Sequence, residues 1–245
     1  MGNKNRGNKG AEVKSQKSHA CLSGDLVEER AKKIRGVLEK FVELKKLNVL
    51  DIGTGSGIIA GYLGEKCKKL YSVDVNDERV IKKGYYFRRI RDEKLPFLGN
   101  KFDVVISNHV IEHVNDQQKH FDEVHRVLKK GGIFYLATPN KFAVIEPHYK
   151  LPLLSWLPNS ASNCVVGALK KRKWDIKPLT YNKILRLAKE RFEIINMTPK
   201  VAKNPADYSL NIYPLVQKAT KLVPIKALEL LNPLMPTYII ILRKK

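Results

Sequence analysis

Asn48-Val49-Leu50-Asp51-Ile52-Gly53-Thr54-Gly55-Ser56-Gly57 is the stretch whose reading decides the fold. A short apolar run ends in an acid and three alternating glycines, and Ile58 to Leu63 resumes with helical spacing. The segment therefore reads as strand, tight turn and helix. Glycine suits each of the three positions because the turn is tight, because backbone can approach a ligand there, and because the helix must pack closely.

Downstream, Leu70 to Val75 reads as a second buried strand, ending near Asp74, and Phe87 to Ile90 as a third. Phe102 to Ser107 forms a fourth that stops at Asn108, and Ile133 to Ala137 a fifth after the Gly131-Gly132 turn. Helical spacing lies between them, clearest from Asp116 to Leu128, where Phe121, Val124, Val127 and Leu128 share a face behind an Asp116 cap. Strands alternating with helices predict a parallel sheet in a doubly wound α/β fold. In such sheets ligands gather beyond the carboxyl ends of strands where the strand order reverses, which places the glycine turn at the ligand.

Upstream, Leu26, Ala31, Ile34, Val37, Leu38, Phe41 and Val42 recur at three- and four-residue steps and predict an amphipathic helix within Leu22 to Leu44. Residues 1–20 are polar and basic and are expected to form a disordered tail. Beyond the fifth strand, residues 139–180 break the alternation with Pro139, Pro147, Pro152, Pro158 and Pro178, and are expected to be a loop-rich insertion capping the substrate side. A helix from Tyr181 to Arg191, a strand Phe192 to Asn196, a proline-punctuated apolar stretch from Tyr208 to Pro236 and a last strand Tyr238 to Leu242 complete one domain over residues 21–245.

The formal charge of +22 is unevenly spread: residues 47–138 carry 15 Lys/Arg against 12 Asp/Glu, whereas residues 139–245 carry 19 against 6. A balanced centre with basic flanks suits an anionic partner met by the appendages, either nucleic acid or an anionic membrane, with solubility as the plainer explanation. The three cysteines are too far apart for a disulfide framework or a zinc spacing. No apolar run reaches the roughly 18 residues needed to span a bilayer. A cytoplasmic protein is expected, with peripheral membrane contact as a further option.

Asp74 stands about twenty residues beyond the turn, where a carboxylate can accept hydrogen bonds from both hydroxyls of an adenosine ribose. A dinucleotide site would instead place G-x-G-x-x-G under a pyrophosphate. Here Asp51 precedes the glycines, and an acid beside the site favours a cationic ligand.

Val49 to Gly57 resembles motif I of the class I S-adenosylmethionine-dependent methyltransferases. Leu95-Pro96-Phe97, Phe102-Asp103-Val104-Val105-Ile106-Ser107-Asn108, Glu112-His113-Val114 and Val127-Leu128-Lys129-Lys130-Gly131-Gly132 follow in the order of the small-molecule branch that includes ubiquinone-type O-methyltransferases. The resemblance covers about residues 40–140. It implies S-adenosylmethionine as cofactor and a seven-stranded, Rossmann-like sheet of order 3-2-1-4-5-7-6 with the last strand antiparallel. It also implies that Gly53 and Gly55 face the methionine part, that Asp74 binds the ribose, that Asp92 with Glu93 lies by the adenine, and that Asn108 lines the sulfonium side. Asp51, Thr54 and Val75 complete the expected cofactor-binding set.

Methyl transfer from a sulfonium mainly requires alignment and exclusion of water, and a general base helps when the acceptor is a hydroxyl. His148, in Ile145-Glu146-Pro147-His148, and His109, just past the fourth strand, are the candidates; each could equally be a hydrogen-bonded loop histidine. His109-Val110-Ile111-Glu112-His113 also fits H-x-x-E-H, in which two histidines one helical turn apart hold zinc. With no third ligand evident there, a zinc peptidase is not assigned; the resemblance leaves a divalent ion near this segment as an option, since some ubiquinone-type relatives use one, but the family's first acidic position is His109 here and no metal ligand is assigned. Leu151, Leu153, Leu154, Trp156 and Leu157 beside Lys170-Lys171-Arg172-Lys173 describe an interfacial surface and a small-molecule or lipid-linked acceptor, methylated at oxygen. RNA methylation and a non-catalytic, cofactor-binding scaffold or sensor are the alternatives.

Overall fold

The sheet is built from β1 (Asn48–Ile52), β2 (Lys69–Asp74), β3 (Tyr86–Arg89), β4 (Phe102–Asn108), β5 (Leu128–Pro139), β6 (Phe192–Asn196) and β7 (Thr237–Lys244). The order is β3-β2-β1-β4-β5-β7-β6. β1 pairs in parallel with β2 and β4, and the parallel pairing continues outward to β3 and β5. β7 runs antiparallel between β5 and β6. This is the order, with a reversed last strand, that the motif resemblance implied. The computed structural model describes residues 24–208 and 220–245. The tail expected over residues 1–20 and part of the apolar stretch beginning at Tyr208 lie outside the described residues.

Strand periodicity sends alternate side chains to opposite faces, and both faces are dry. Along β5, Ile133, Tyr135 and Ala137 join one core with Val49, Val104, Ile106, the helix α1 (Gly24–Leu38) residues Ile34, Val37 and Leu38, and Ala60 and Leu63 of α2 (Ile58–Gly64). Phe134 and Leu136 join the other core with Leu50, Val105 and Ile240, beneath Phe121, Val124 and Val127 of α3 (Gln117–Val127). A sheet covered on both faces reads as continuous apolar runs, which is why β4 and β5 were legible as buried strands.

Several boundaries differ from the sequence reading. α1 stops at Leu38, and Phe41 and Val42 pack as partly buried residues of the turn that follows. β5 begins at Leu128, absorbing the Gly131-Gly132 segment with a register shift between Phe102 and Val104. The insertion over residues 139–180 is more ordered than its prolines suggest. It holds a single turn, Leu154–Trp156, and a helix α4 (Asn159–Lys170) that starts directly after Pro158. Tyr149, Leu154, Val166 and Ile176 give it a small core of its own.

The insertion is tied down at the carboxyl end of β4. Lys177 donates its backbone N–H to the Glu112 carbonyl (2.7 Å), and the buried Gln117 side chain donates to the carbonyls of Ile111 and Lys177. Gln117 is in turn placed by the α3 cap, where the Asp116 carboxylate accepts from the N–H groups of Gln118 and Lys119. Asp116→Ala is expected to lower stability by about 1 kcal/mol, seen as a melting temperature lower by roughly 2–4 °C. An unchanged melting temperature would show that the cap does not hold the helix end.

Candidate active site

The glycine turn is pinned by its neighbour strand. Gly53 and Thr54 both donate backbone N–H to the Val73 carbonyl, at 2.8 and 3.3 Å, and Gly55 donates to Asp74 Oδ2 at 2.9 Å. Asp74 Oδ1 accepts from the Asn76 N–H, so the carboxylate is fixed at the carboxyl end of β2 with one further lone pair on each oxygen. Gly53 sits at φ +82° and a Cβ there would meet Val110 Cγ2 at 2.3 Å. Gly55, at φ +51°, is different: a Cβ would meet nothing within 4 Å, so the turn presents bare backbone to open space. Across it, at the end of β4, Asn108 carries a buried Oδ1 with no hydrogen-bond partner among the described residues. Bare backbone, a fixed carboxylate and an unsatisfied amide oxygen at one sheet end fit a nucleoside with a zwitterionic appendage.

Asp51 and Thr54 support the turn from inside. Ser72 donates to Asp51 Oδ2 at 3.0 Å and shares a 2.5 Å hydrogen bond with Thr54 Oγ1, and both partners are buried. Burial pushes the Asp51 carboxyl up to about 8, the Ser72 hydrogen bond opposing it and the Asp74 charge adding to it. Val75 is exposed at the rim. Of the pair expected near the adenine, Asp92 is exposed and accepts from the Lys94 N–H, while Glu93 Oε1 accepts from the Asn115 N–H at 2.8 Å. Glu93 thus ties the β3–β4 connection to the cap of α3.

The two histidine candidates converge. His109 has the left-handed backbone (φ +59°) that costs a non-glycine residue strain, and its N–H bonds to the Ala137 carbonyl. Its Nδ1 lies 3.4 Å from Glu112 Oε1, and His148 Nε2 reaches the same oxygen at 3.7 Å from the insertion. Glu112 is wholly buried; its other oxygen accepts from Thr138 Oγ1 at 3.0 Å. Burial opposes its charge, but the neighbouring His109 imidazole, with His113 adding, brings the carboxyl below the ordinary glutamate value. Burial holds the His109 imidazole below its ordinary value, with Glu112 working against it. His148 Nδ1 lies 2.9 Å from Oε1 of the fully buried Glu146.

The sequence reading missed Glu146, although a carboxylate two residues from a histidine was the available signal, and saw Glu112 only as part of a motif. Residues 109–113 form a turn and not a helix, and His113 is exposed, meeting His148 ring to ring at 5.6 Å while the close groups are His109, Glu112 and His148. A cavity of about 700 Å³, lined by Tyr71, Tyr86, Phe97 and Lys101, lies toward the amino ends of the strands and away from all these groups.

A family model described as a methyltransferase domain matches residues 50–136, from β1 to β5. Residues 50–136 are a class I methyltransferase domain. The cofactor implied by this domain is S-adenosylmethionine. The chain is 27% identical over 135 residues, 47% of its own length and 52% of the relative's, to a ubiquinone biosynthesis O-methyltransferase of Pelagibacter ubique. It is 30% identical over 111 residues, 43% of each chain, to a probable S-adenosylmethionine-dependent methyltransferase of Mycolicibacterium smegmatis. The chain thus spans about half the length of the curated relatives it matches. Among solved structures it shares its fold with an S-adenosylmethionine-dependent methyltransferase from Mesorhizobium loti, at 15% identity and a TM-score of 0.57 over 88% of this chain and 99% of that one. It is equally similar in fold to the putative methyltransferase in the complex with the Haloferax volcanii Trm112 activator, at 18% identity and a TM-score of 0.58 over 92% and 95% of the two chains.

Two outcomes follow for the methyltransferase domain. Gly55→Ala keeps the fold, at a strain of roughly 1–2 kcal/mol, but its methyl group enters the space before the turn; affinity for S-adenosylhomocysteine by calorimetry falls at least tenfold, and an affinity within twofold of wild type refutes the placement. Asp51 holds its proton up to about pH 8 when folded, against about 3.9 unfolded. The folded state therefore binds more protons in that window, and this contribution to stability is present at low pH and lost as pH rises toward 8. Asp51→Asn, which keeps an acceptor for Ser72, shows a flatter fall of melting temperature between pH 4 and 8 than wild type; parallel curves would exclude a buried neutral Asp51.

Proposed function

We propose that this protein transfers the methyl group of S-adenosylmethionine to a hydroxyl oxygen of a small or lipid-linked acceptor. The observation that carries the reading is the meeting of the imidazole–carboxylate cluster with the cofactor turn at one sheet end: His109 follows Asn108 directly, and Val110 packs against Gly53. Bound there, the cofactor supplies an electrophilic methyl whose bond to sulfur breaks as the bond to oxygen forms. The chain must align that oxygen, exclude water and take up its proton.

The accepting atom is His148 Nε2. The Glu146 carboxylate on Nδ1 fixes the tautomer in which the lone pair sits on Nε2 and stabilises the imidazolium that results. His109 and Glu112 complete the wall on the β4 side. The names of the ubiquinone biosynthesis relatives favour a phenolic, lipid-linked acceptor over RNA.

The insertion supports the same choice. Phe142, Val144, Ile145, Leu153, Trp156 and Leu157 are all more than a third exposed, and the Trp156 indole is fixed by donating to the Ala143 carbonyl. Lys170, Lys171, Arg172 and Lys173 are exposed at the end of α4. Apolar side chains beside cations suit the surface of an anionic membrane, where a lipid-linked acceptor resides. No helix among the described residues is long and apolar enough to cross a membrane.

The test offers labelled cofactor with three acceptors: a prenylated phenol in anionic vesicles, the same phenol in neutral vesicles, and total RNA. Label in the phenol, greater on anionic vesicles, is expected. Label in RNA favours the nucleic-acid reading, and cofactor binding without transfer favours a sensor. His148→Gln is expected to lower kcat for the phenol about 100-fold or more with cofactor affinity unchanged; a kcat within threefold of wild type removes His148 from the chemistry.

A further inference from the structure

We infer that the cavity between β3 and the segment leading into β4 is a binding site for a small planar aromatic anion, with Tyr86 as its stacking surface and Lys101 as its charge partner. The ligand class is a ring that carries a carboxylate or a phosphate. The cavity holds about 700 Å³, within the roughly 300–1,000 Å³ that small-molecule sites occupy. It opens toward the amino ends of the strands, at the end of the sheet opposite the glycine turn and the histidines, and nothing in methyl transfer uses it.

The lining is aromatic and cationic. Tyr71 and Tyr86, partners in the β2–β3 register, stack with ring centroids 5.3 Å apart, and Phe97 meets Tyr71 edge-on at 5.8 Å. Tyr86 keeps 61% of its surface exposed in spite of that stacking, so ring area remains for a ligand. Lys101 Nζ lies 4.0 Å from the Tyr71 centroid and 4.7 Å from that of Phe97. An ammonium has three donors, yet among the described residues the partners of this one are ring faces alone. Arg88 lines the same cavity, and no described carboxylate does. A neutral ring would leave both cations unanswered, and a bare inorganic anion would leave the ring surface wet. A charged ring meets both.

The walls are held in place before any ligand arrives. Arg126 donates to the carbonyls of Phe97 and Leu95 at 2.7 and 2.8 Å, and Arg88 donates to that of Pro96 at 3.3 Å. The turn below is pinned to the end of α3, the N–H groups of Asn100 and Lys101 donating to the carbonyls of Arg126 and Val127. Such preformed walls are the usual condition of a small-molecule site. β3 is also the edge of the sheet, and Arg88 and Arg89 are exposed on it. Cations on an edge oppose the addition of another strand, including β3 of a second copy of this chain, which leaves a small molecule as the occupant.

The site is independent of the methyl transfer proposed above. In its test the full-length protein is titrated by calorimetry with 2-naphthoate, AMP and the neutral 2-naphthol, each with and without saturating S-adenosylhomocysteine. At least one of the two anions is expected to bind at one equivalent per chain with Kd below about 1 mM, and 2-naphthol at least tenfold more weakly. Tighter AMP assigns the site to a nucleotide, tighter 2-naphthoate to an aromatic acid. Lys101→Met, which keeps an unbranched stem on the rings, weakens the anion at least tenfold. Tyr86→Ser does the same, with circular dichroism confirming that each variant is folded. No saturable binding of either anion, equal affinity for 2-naphthol, loss of binding when S-adenosylhomocysteine is present, or binding that both variants leave within twofold of wild type overturns the site.

Discussion

The Val73 carbonyl accepting from both Gly53 and Thr54, with Asp74 accepting from Gly55, is the contact set on which the site depends. It joins the turn after the chain's central strand to the end of the neighbouring strand, and so couples backbone shape to the position of the Asp74 carboxylate. A residue with a side chain at Gly53 breaks the coupling from one side through Val110. The buried Asp51–Ser72–Thr54 group secures it from below, which explains why an acid directly before the glycines is held inside the sheet.

The chemistry-bearing cluster depends on a second joint, between the core domain and its insertion. Glu112 belongs to the short turn after β4, and His148 and Glu146 arrive from beyond β5. The tether of Lys177 to the Glu112 carbonyl and the bridge of Gln117 to both segments hold the two parts in register. The glycine turn with Asp74 and Asn108 is therefore made by the sheet alone, whereas the cluster of His109, Glu112 and His148 exists only when the insertion docks.

This division also explains what the sequence could tell. The glycine turn, Asp74, Asn108 and the strand order were legible because a tight turn and two-faced burial restrict residue choice locally. Phe121, Val124 and Val127 behind Asp116 announced α3 for the same reason. The insertion was not legible as a unit: its core is four residues contributed by separate turns, and no period of 2 or 3.6 links Tyr149, Leu154, Val166 and Ile176. His109 and His148 could be named as candidates, but their convergence on Glu112 could not, since it follows from a left-handed residue and a long-range dock. The tie that Glu93 makes to the Asn115 N–H was not legible either, because a carboxylate that holds a distant helix start has no local sequence period.

The reversed strand has a consequence for how the molecule is made. β6 touches the sheet only through β7, and β5 keeps an open edge until Thr237–Lys244 is laid between them. During synthesis the first five strands can pair as they emerge, but Phe192 to Asn196 must wait some forty residues for its neighbour. A nascent or clipped chain lacking that segment would offer an unpaired apolar edge at the centre of its sheet, a ready signal for chaperone capture or degradation.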